Sequence, residues 1–211
     1  MNSELENYDV IFWDFDGVIK NSVEAKSLAF KTLFEPYGKE LVSRVIKHHQ
    51  SNGGLSRYKK IPIYLSWIDK EKTDIADLSY FLDKFSELAI KKVICSSWVP
   101  GILEYLEKNY LTQDFYLITA TPQKEIEYIL SNLGIRYFFK RIIGSPTEKK
   151  DAINNFLESY TSREHKIAMI GDSVHDRDAA EKNNIDFILR KTKYNLSLQQ
   201  QFEGLQIQDF N

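Results

Sequence analysis

Five short, continuous apolar runs constrain the fold of this chain more than any other feature, because each ends at a polar or turn-forming residue. They cover residues 10–13, 115–118, 141–143, 167–170 and 187–189. Runs of this length without polar alternation are typical of strands that are buried on both faces of a sheet. Helical patterns lie between them, over 101–110, 122–133, 147–160 and 176–183. Alternating strands and helices predict an α/β fold with a doubly wound parallel sheet.

The segment from 21 to 92 is different, since it contains no convincing strand. Its apolar residues recur at helical spacing over 22–34, 39–50, 55–69 and 74–90. The spacing in the last of these places one apolar face along an amphipathic helix. We therefore predict two parts, an α/β core built from residues 1–20 and 93–211 and a small all-helical cap domain formed by residues 21–92.

Polar side chains stand at, or just beyond, the ends of four predicted strands. They are Asp14, Asp16, Thr119, Lys149, Asp172 and Asp176. In an open α/β sheet, ligands bind outside the carboxyl ends of the strands. Segments that are far apart in the sequence are therefore expected to meet in one cleft. This cleft would combine carboxylates, a hydroxyl and an ammonium, which are the groups that phosphoryl transfer needs.

Each of these residue types has a chemical task in such a cleft. A phosphate ester is anionic and repels nucleophiles, so positive charge is required. A hard cation such as Mg²⁺ prefers oxygen ligands, and Asp14 and Asp172 can supply carboxylates for it. A carboxylate can also attack phosphorus and form an aspartyl-phosphate, while Asp16 can protonate the leaving alkoxide. Thr119 and Lys149 can contact the phosphoryl oxygens.

Four segments carry a resemblance to a known superfamily. They are residues 14–18 (Asp-Phe-Asp-Gly-Val), Thr119, Lys149 within residues 144–149, and residues 171–176 (Gly-Asp-Ser-Val-His-Asp). In this order they resemble the four motifs of the haloacid dehalogenase superfamily, and the resemblance covers nearly the whole chain. It implies a Rossmann-like core. The helical insert looks like the cap of phosphoglycolate phosphatases and β-phosphoglucomutases.

The resemblance implies a Mg²⁺-dependent phosphatase that acts through an aspartyl-phosphate. Its substrate would be a small phosphorylated metabolite, either a sugar phosphate or a small phosphorylated acid. Asp14 would be the nucleophile and a metal ligand. Asp16 would be the general acid and base, with its backbone carbonyl on the metal. Asp172 and Asp176 would complete the metal ligands, the latter directly or through water.

The same resemblance assigns Thr119, Ala120 and Lys149 to the phosphate. Alternatives remain open at this point. Lys150 is a rival for the motif lysine. Thr119 could instead cap the following helix, and Asp176 could cap the helix that begins near it. For Thr119 the capping role is compatible with a role in the site.

Two other functions are compatible with parts of the pattern. A phosphomutase of the same superfamily would use the same core residues, and nothing in the sequence excludes it. A non-catalytic phosphoacceptor or binding protein also joins Asp, Thr and Lys at strand ends. In a phosphoacceptor switch, however, the acceptor lies on the third strand. Here the paired aspartates follow the first strand and a helical insert comes next, which disfavours that function.

Within the predicted cap, a polar segment over 48–57 interrupts two helices. We expect Asn52, Arg57 and His49 to contact the substrate, because discrimination among leaving groups has to come from outside the core motifs. An ordinary helix–helix turn with solvated side chains is the alternative. Lys20 either attracts an anionic substrate or points to solvent.

Composition excludes several other classes of protein. The formal charge is −2 and the basic residues are scattered in pairs such as Lys59-Lys60, which are expected to lie on solvated helix faces. No basic stripe indicates nucleic acid, and no apolar run approaches the length of a membrane span. The single cysteine, Cys95, precludes an internal disulfide and is read as a small structural residue. A cytoplasmic protein without an evident obligate protein partner is expected.

Overall fold

The computed structural model describes residues 4–68, 78–160 and 165–211. Within these residues six strands form one parallel sheet. The strands are β1 Val10–Trp13, β2 Asp114–Pro122, β3 Arg141–Ser145, β4 Ile167–Gly171, β5 Asp186–Arg190 and β6 Gln206–Ile207. Their order across the sheet is β3-β2-β1-β4-β5-β6. The predicted α/β fold with a doubly wound parallel sheet is thus confirmed.

The central position of β1 determines where a ligand can bind. Val10 pairs in register with Asp114 of β2 on one side and with Ile167 of β4 on the other. Strands β2 and β3 extend the sheet in one direction, and β4, β5 and β6 extend it in the opposite direction. The order therefore reverses next to β1, and the carboxyl ends of β1, β2 and β4 are neighbours at this switch point.

Nine helices flank the sheet or precede its second strand in the described residues. They are α1 Val23–Phe34, α2 Lys39–Ser51, α3 Arg57–Leu65, α4 Leu78–Cys95, α5 Ile102–Asn109, α6 Gln123–Asn132, α7 Lys149–Ser159, α8 Val174–Lys182 and α9 Leu196–Gln201. The predicted helices agree with α1–α8 to within a few residues. Residue 69 and the predicted helix start over 74–77 lie outside the described residues.

The two faces of the sheet carry separate apolar clusters, which explains the continuous apolar runs. Ile11 and Trp13 of β1 belong to one cluster, and Val10 and Phe12 belong to the other. All four side chains are fully buried. A strand that alternates between two buried faces has no position for a polar side chain, so its sequence shows no alternation.

A third apolar cluster lies among α1, α2, α3 and α4. It contains Phe30 and Phe34 of α1, Tyr64 of α3 and Phe85 of α4. The ring centroids of Phe30 and Phe85 are 4.1 Å apart. The predicted helical segment therefore has a core of its own.

Helix α4 continues past residue 92 to Cys95. This cysteine lies at the end of the helix and is exposed, contrary to the predicted structural role in packing.

The chain crosses between this helical layer and the sheet twice, at residues 20–21 and at residues 94–98. These two crossings are hydrogen-bonded to each other. Asn21 donates its backbone N–H to the carbonyl of Ser97, at 2.9 Å, and its side-chain amide to Trp98 O, at 3.2 Å. Lys20 is only 2% exposed, and its Nζ donates to Ile94 O at 3.1 Å and lies 4.0 Å from the centroid of the Trp98 ring. Both expectations for Lys20 were wrong, since it faces neither solvent nor substrate but joins the two crossings.

The C-terminal tail supplies elements that the sequence does not predict. Helix α9 and strand β6 follow β5, and Arg190 of β5 pairs with Ile207 of β6. Phe210 is buried against Trp13. A two-residue strand is too short to produce a recognisable pattern.

Over the described residues, no helix combines the length and the apolar character that crossing a membrane requires.

Candidate active site

Two glycines, one in the turn after β1 and one at the end of β4, lie close to carboxylates of the site. Gly17 has a φ of +86°, and a Cβ at this residue would lie 2.2 Å from Oδ2 of Asp172. A Cβ at Gly171 would lie 2.2 Å from the Cβ of Asp176. A side chain at either position would displace a carboxylate. These glycines therefore permit the end of β1 and the end of β4 to approach each other.

Three carboxylates lie together at the switch point of the sheet. One oxygen each from Asp14, Asp172 and Asp176 can be chosen so that all lie within 4.8 Å of one another. Burial raises the pKa of Asp172 well above its ordinary value, and the charges of Asp14 and Asp176 raise it further. No hydrogen bond to the carboxylate of Asp172 occurs among the described residues. The cluster is a concentration of negative charge that requires cations.

Lys149 at the start of α7 is one of these cations. Its Nζ donates to Oδ1 of Asp14 at 2.6 Å and also forms an ion pair with Asp176. Burial alone lowers the pKa of this lysine, but the two carboxylates raise it above its ordinary value. Lys150 is partly exposed and pairs with Glu148 at 3.2 Å. The structure therefore brings Lys149, not Lys150, into the cluster.

The environment of Asp14 disfavours the ionised form of its carboxylate. Its pKa is raised to about 7, chiefly by burial; the ammonium of Lys149 opposes this rise, while the charges of Asp176 and Asp16 contribute to it. The ionised form of Asp14 therefore depends on nearby positive charge. Any additional cation in the cluster would favour the carboxylate over the neutral acid.

Asp16 faces a different set of partners. Its carboxylate accepts hydrogen bonds from Ser22 Oγ at 2.6 Å and from Thr121 Oγ1 at 3.2 Å. Lys26 of α1 forms an ion pair with the same carboxylate and donates to Thr121 Oγ1 at 2.8 Å. Burial raises the pKa of Asp16, but Lys26 and the two hydroxyls bring it below its ordinary value. Asp16 is thus ionised in this arrangement.

Thr119 and Ala120 lie on the cleft wall near the end of β2. Thr119 Oγ1 accepts a hydrogen bond from the backbone N–H of Thr121 at 3.2 Å. Helix α6 begins only at Gln123, with Pro122 at its N-cap position, so Thr119 does not cap it. Asp176, by contrast, does help to cap a helix. Its carboxylate accepts hydrogen bonds from the N–H and Oγ of Ser173 at the start of α8.

A cavity of about 330 Å³ lies between these residues and the helical layer. Its volume is at the lower end of the range for small-molecule sites. The sheet side contributes Asp14, Asp16, Thr119, Ala120 and Asp172, and the helical side contributes Lys26, His49, Arg57 and Lys60. A Cβ at Gly54 would lie 2.8 Å from Ser173 Oγ, so the loop after α2 closely contacts the sheet side.

The predicted cap residues have different positions. His49 lines the cavity and is 4% exposed. Asn52 is not among the described residues that line it, and its amide instead donates to His48 O, at 2.9 Å, at the end of α2. Arg57 does line the cavity, but its guanidinium binds protein groups. The loop is therefore not a purely solvated turn, and the predicted substrate contact of Asn52 stays a prediction for a side chain that does not line this cavity.

The guanidinium of Arg57 joins the helical layer to the sheet layer. It donates to both carboxylate oxygens of Glu125 on α6, at 2.9 Å and 2.5 Å, and to Ser86 Oγ at 2.6 Å. It also lies 4.4 Å from the centroid of the Phe85 ring. Both members of the ion pair are buried. A buried, bidentate pair between two layers acts as a clamp that fixes their relative position.

The sequence did not reveal Lys26, Ser22, Thr121 or Glu125 as parts of this arrangement. Lys26 and Glu125 occur in helices, where charged residues are ordinarily solvated. Ser22 lies directly before α1 and Thr121 two residues after Thr119, so their nearness to the motif residues was the only available signal. That signal does not distinguish a contact with Asp16 from a helix cap or a surface hydroxyl.

The donor set fits a hard divalent cation. It consists of carboxylate oxygens, three of them within 4.8 Å of one another. Mg²⁺ is usually held by one or two carboxylates, with phosphate and water as the remaining ligands. The raised pKa values of Asp14 and Asp172 are also consistent with a site that a cation would stabilise. The described residues thus support a metal site without distinguishing Mg²⁺ from other hard cations.

The fold and this cluster define a class of hydrolase that uses carboxylates at the switch point of a doubly wound sheet. The sequence profile of the haloacid dehalogenase-like hydrolases matches residues 10–190, and the chain belongs to this family. It is 26% identical over 202 residues to a phosphoglycolate phosphatase from Colwellia psychrerythraea, which covers 91% of this chain and 88% of that protein. The predicted enzyme class, a phosphatase, is confirmed.

Two solved structures show the same fold at low identity. CbbY from Rhodobacter sphaeroides, in complex with phosphate, has a TM-score of 0.74 at 16% identity and covers 96% of this chain and 95% of that one. The HAD-hydrolase YfnB from Bacillus subtilis, bound to magnesium, has a TM-score of 0.71 at 18% identity, with 96% and 95% covered. At these identities, the likeness concerns the fold.

The Arg57–Glu125 pair leads to a prediction about stability. Replacing Arg57 by Met leaves the carboxylate of Glu125 buried without its partner, which is expected to lower the free energy of unfolding by about 3–5 kcal/mol. The double variant Arg57→Met/Glu125→Met should recover most of this loss, because two apolar side chains can replace a buried pair. Urea unfolding of both variants measures the difference.

The matched control is Lys59→Met, which removes an exposed ion pair between α3 and Glu148. Its expected cost is below about 1 kcal/mol. An Arg57→Met variant that is no less stable than Lys59→Met would show that the buried pair does not clamp the two layers.

Proposed function

We propose that this protein hydrolyses phosphate monoesters of small metabolites, with Mg²⁺ as cofactor and Asp14 as covalent nucleophile. The observation that carries this proposal is the cluster of Asp14, Asp172 and Asp176 around Lys149, in which Asp14 and Asp172 line a cavity of about 330 Å³. The phosphate and magnesium in the two neighbouring structures support it, since both groups occur in proteins of this fold.

In the first step a carboxylate oxygen of Asp14 attacks phosphorus, and the bond between phosphorus and the leaving oxygen breaks. Lys149 holds Asp14 in position and offsets the charge of the approaching phosphate. Thr119 and Ala120 border the same part of the cavity and would contact the phosphoryl oxygens. Mg²⁺ held by Asp14, Asp172, Asp176 and the Asp16 carbonyl would supply Lewis-acid stabilisation of the phosphoryl charge.

Asp16 would donate a proton to the leaving alkoxide and later accept one from the attacking water. The ionised state of Asp16 in this structure suits the second task. The first requires a higher pKa, and the charge of a bound phosphate would raise it, because a nearby like charge favours the neutral acid. A phosphate would also compete for Lys26, which presently lowers the pKa of Asp16.

The helical layer determines which esters can react. We propose that residues 21–92 act as a cap on the core formed by 1–20 and 93–211, with the Lys20 and Asn21 crossings as the hinge. A closed cap excludes large substrates and water. Phosphoglycolate is the first compound to test, because the related protein from Colwellia psychrerythraea is named as a phosphoglycolate phosphatase. Cytoplasmic localisation and the absence of an obligate protein partner are part of the same proposal.

The nucleophile is tested by Asp14→Asn, which keeps the side-chain volume and removes the charge. We expect turnover to be abolished, because an amide cannot form the aspartyl-phosphate. Hydrolysis is measured over a panel of phosphorylated metabolites, and acid-quenched wild-type protein is examined by mass spectrometry for phosphorylated Asp14. Substantial turnover by a folded Asp14→Asn variant would exclude the covalent mechanism. Formation of a second sugar phosphate in the same assay would indicate the phosphomutase alternative.

The acid role is tested by Asp16→Asn on two classes of ester. An aryl phosphate has a good leaving group and needs little proton assistance, whereas an alkyl phosphate needs much more. The loss of kcat is therefore expected to be greater for the alkyl ester by about 10²-fold or more. Equal losses on the two esters would remove Asp16 from proton transfer.

The metal ligands are tested by Asp172→Asn in a calorimetric titration with Mg²⁺. Loss of an outer hydrogen bond to a metal ligand already costs about 10–100-fold in affinity, so losing a ligand should weaken binding by at least about tenfold. Asp178→Asn is the control, since that carboxylate lies on α8 but is partly exposed, pairs with Arg177 and is not part of the acidic cluster. Unchanged Mg²⁺ affinity in Asp172→Asn would contradict the proposed site.

A further inference from the structure

Lys60 on α3 is a buried cation that the proposed chemistry does not use. It is 2% exposed and lines the same cavity as Asp14 and Asp172. Its Nζ lies 3.0 Å from Nδ1 of His49, and among the described residues no carboxylate lies within ion-pair distance of it. Adjacent Lys59 is exposed, as was expected for this lysine pair, whereas for Lys60 the expectation of a solvated side chain was wrong.

An ammonium that is buried without a counter-ion is costly, because it loses its hydration and gains no charged partner. The pKa of Lys60 is lowered to about 7, chiefly by burial and also by the charge of nearby Lys26, while Asp16 and Asp172 oppose the shift. The charges of Asp16 and Asp172 therefore influence the pKa of Lys60 across the cavity, although neither carboxylate contacts its ammonium. Its ammonium would be stabilised by an anion that enters the cavity.

His49 on α2 provides a second group with unused hydrogen-bonding capacity. Burial holds its pKa well below the ordinary value, with Lys60 adding to the effect, so the ring is neutral. When Nδ1 accepts from Lys60, the proton of the neutral ring is on Nε2. No well-formed hydrogen bond to that atom occurs among the described residues, but a backbone hydrogen bond at Val23 raises the pKa of the ring, so a ligand would compete with Val23 for the ring proton. The Phe30 ring, 4.8 Å away, packs against the imidazole.

We infer that Lys60 and His49 form a subsite for a carboxylate on the leaving group of the substrate. A carboxylate is an acceptor with two oxygens and one negative charge, which matches an ammonium and a neighbouring N–H donor. The phosphate of the same molecule would occupy the floor beside Asp14 and Lys149. The inference rests on the proposed function and selects phosphorylated hydroxy acids over sugar phosphates as the substrate class.

The other two cations on the helical side of the cavity are already paired, which leaves Lys60 as the group available for the leaving group. Lys26 is bound to Asp16, and Arg57 is bound to Glu125. Because the substrate's phosphate is handled at the opposite wall, the effect of Lys60 should depend on the leaving group and not on the phosphate.

A pair of esters that differ only in the carboxylate tests this inference. 2-Phosphoglycolate carries it, and 2-hydroxyethyl phosphate has a neutral hydroxymethyl group in its place. We expect Lys60→Met to lower kcat/KM for 2-phosphoglycolate by about ten- to a hundredfold, the effect of losing a hydrogen bond to a charged group, and to change that for 2-hydroxyethyl phosphate by less than about threefold. Lys47→Met, which removes an exposed lysine of α2, should alter neither.

Affinities measured by calorimetry in an Asp14→Asn background provide a readout that does not depend on turnover. The ratio of the two affinities should fall when Lys60→Met is added. Should Lys60→Met fail to fold, His49→Phe, which keeps a ring beside Phe30 and removes the Nε2 donor, is expected to lower the same ratio. Equal losses for both esters would mean that Lys60 binds the phosphate or supports the fold, and an unchanged ratio would also overturn the inference.

The two readouts separate this inference from the proposed function. Wild-type protein that hydrolyses phosphate esters but shows no effect of Lys60 or His49 on the carboxylate preference would refute the subsite alone. Protein that binds 2-phosphoglycolate through Lys60 but hydrolyses no ester of the panel would refute the proposed function and leave the subsite intact.

Discussion

The crowding of three carboxylates around one ammonium is the interaction on which the rest of this structure depends. Asp14, Asp172 and Asp176 repel one another in a poorly hydrated place, and Lys149 alone does not balance them. Such an arrangement is costly unless further positive charge is bound. The sheet order makes the arrangement possible, since β1 and β4 end side by side, and Gly17 admits Asp172 where a Cβ would collide with it. The fold thus holds an excess of negative charge that a bound cation would balance.

The helical layer meets this negative floor with three cations that differ in their partners. Lys26 is paired with Asp16, a residue of the site itself. Arg57 is paired with Glu125, which belongs to the sheet layer and lies away from the acidic cluster. Lys60 has only neutral His49 beside it. These three side chains have the same charge but different consequences: Lys26 lowers the pKa of Asp16, Arg57 holds the layers together, and Lys60 has no charged partner among the described residues.

The core could be predicted from the sequence because its signals are local. A strand buried on both faces is a continuous apolar run, and the motif residues stand directly at strand ends. The contacts of Lys26, Glu125 and Lys60 could not be predicted, because they depend on how the helical layer docks against the sheet. Lys59 and Lys60 are adjacent and chemically identical, yet one is solvated and the other buried. Helical periodicity separates two such neighbours only when the direction of the docked face is known.

Docking also bears on selectivity, because a closed site that contains unpaired donors discriminates more strongly than an apolar one. A substrate that lacks the matching acceptor leaves those donors dehydrated and unsatisfied, and sites of this kind can reject analogues by much larger factors than apolar pockets do. With Lys60 and the Nε2 of His49 both buried, closure over an ester without a carboxylate would keep that cost. Closure over a phosphorylated hydroxy acid would remove it. The same two side chains that make the empty cavity unfavourable would therefore make the closed state depend on the identity of the leaving group.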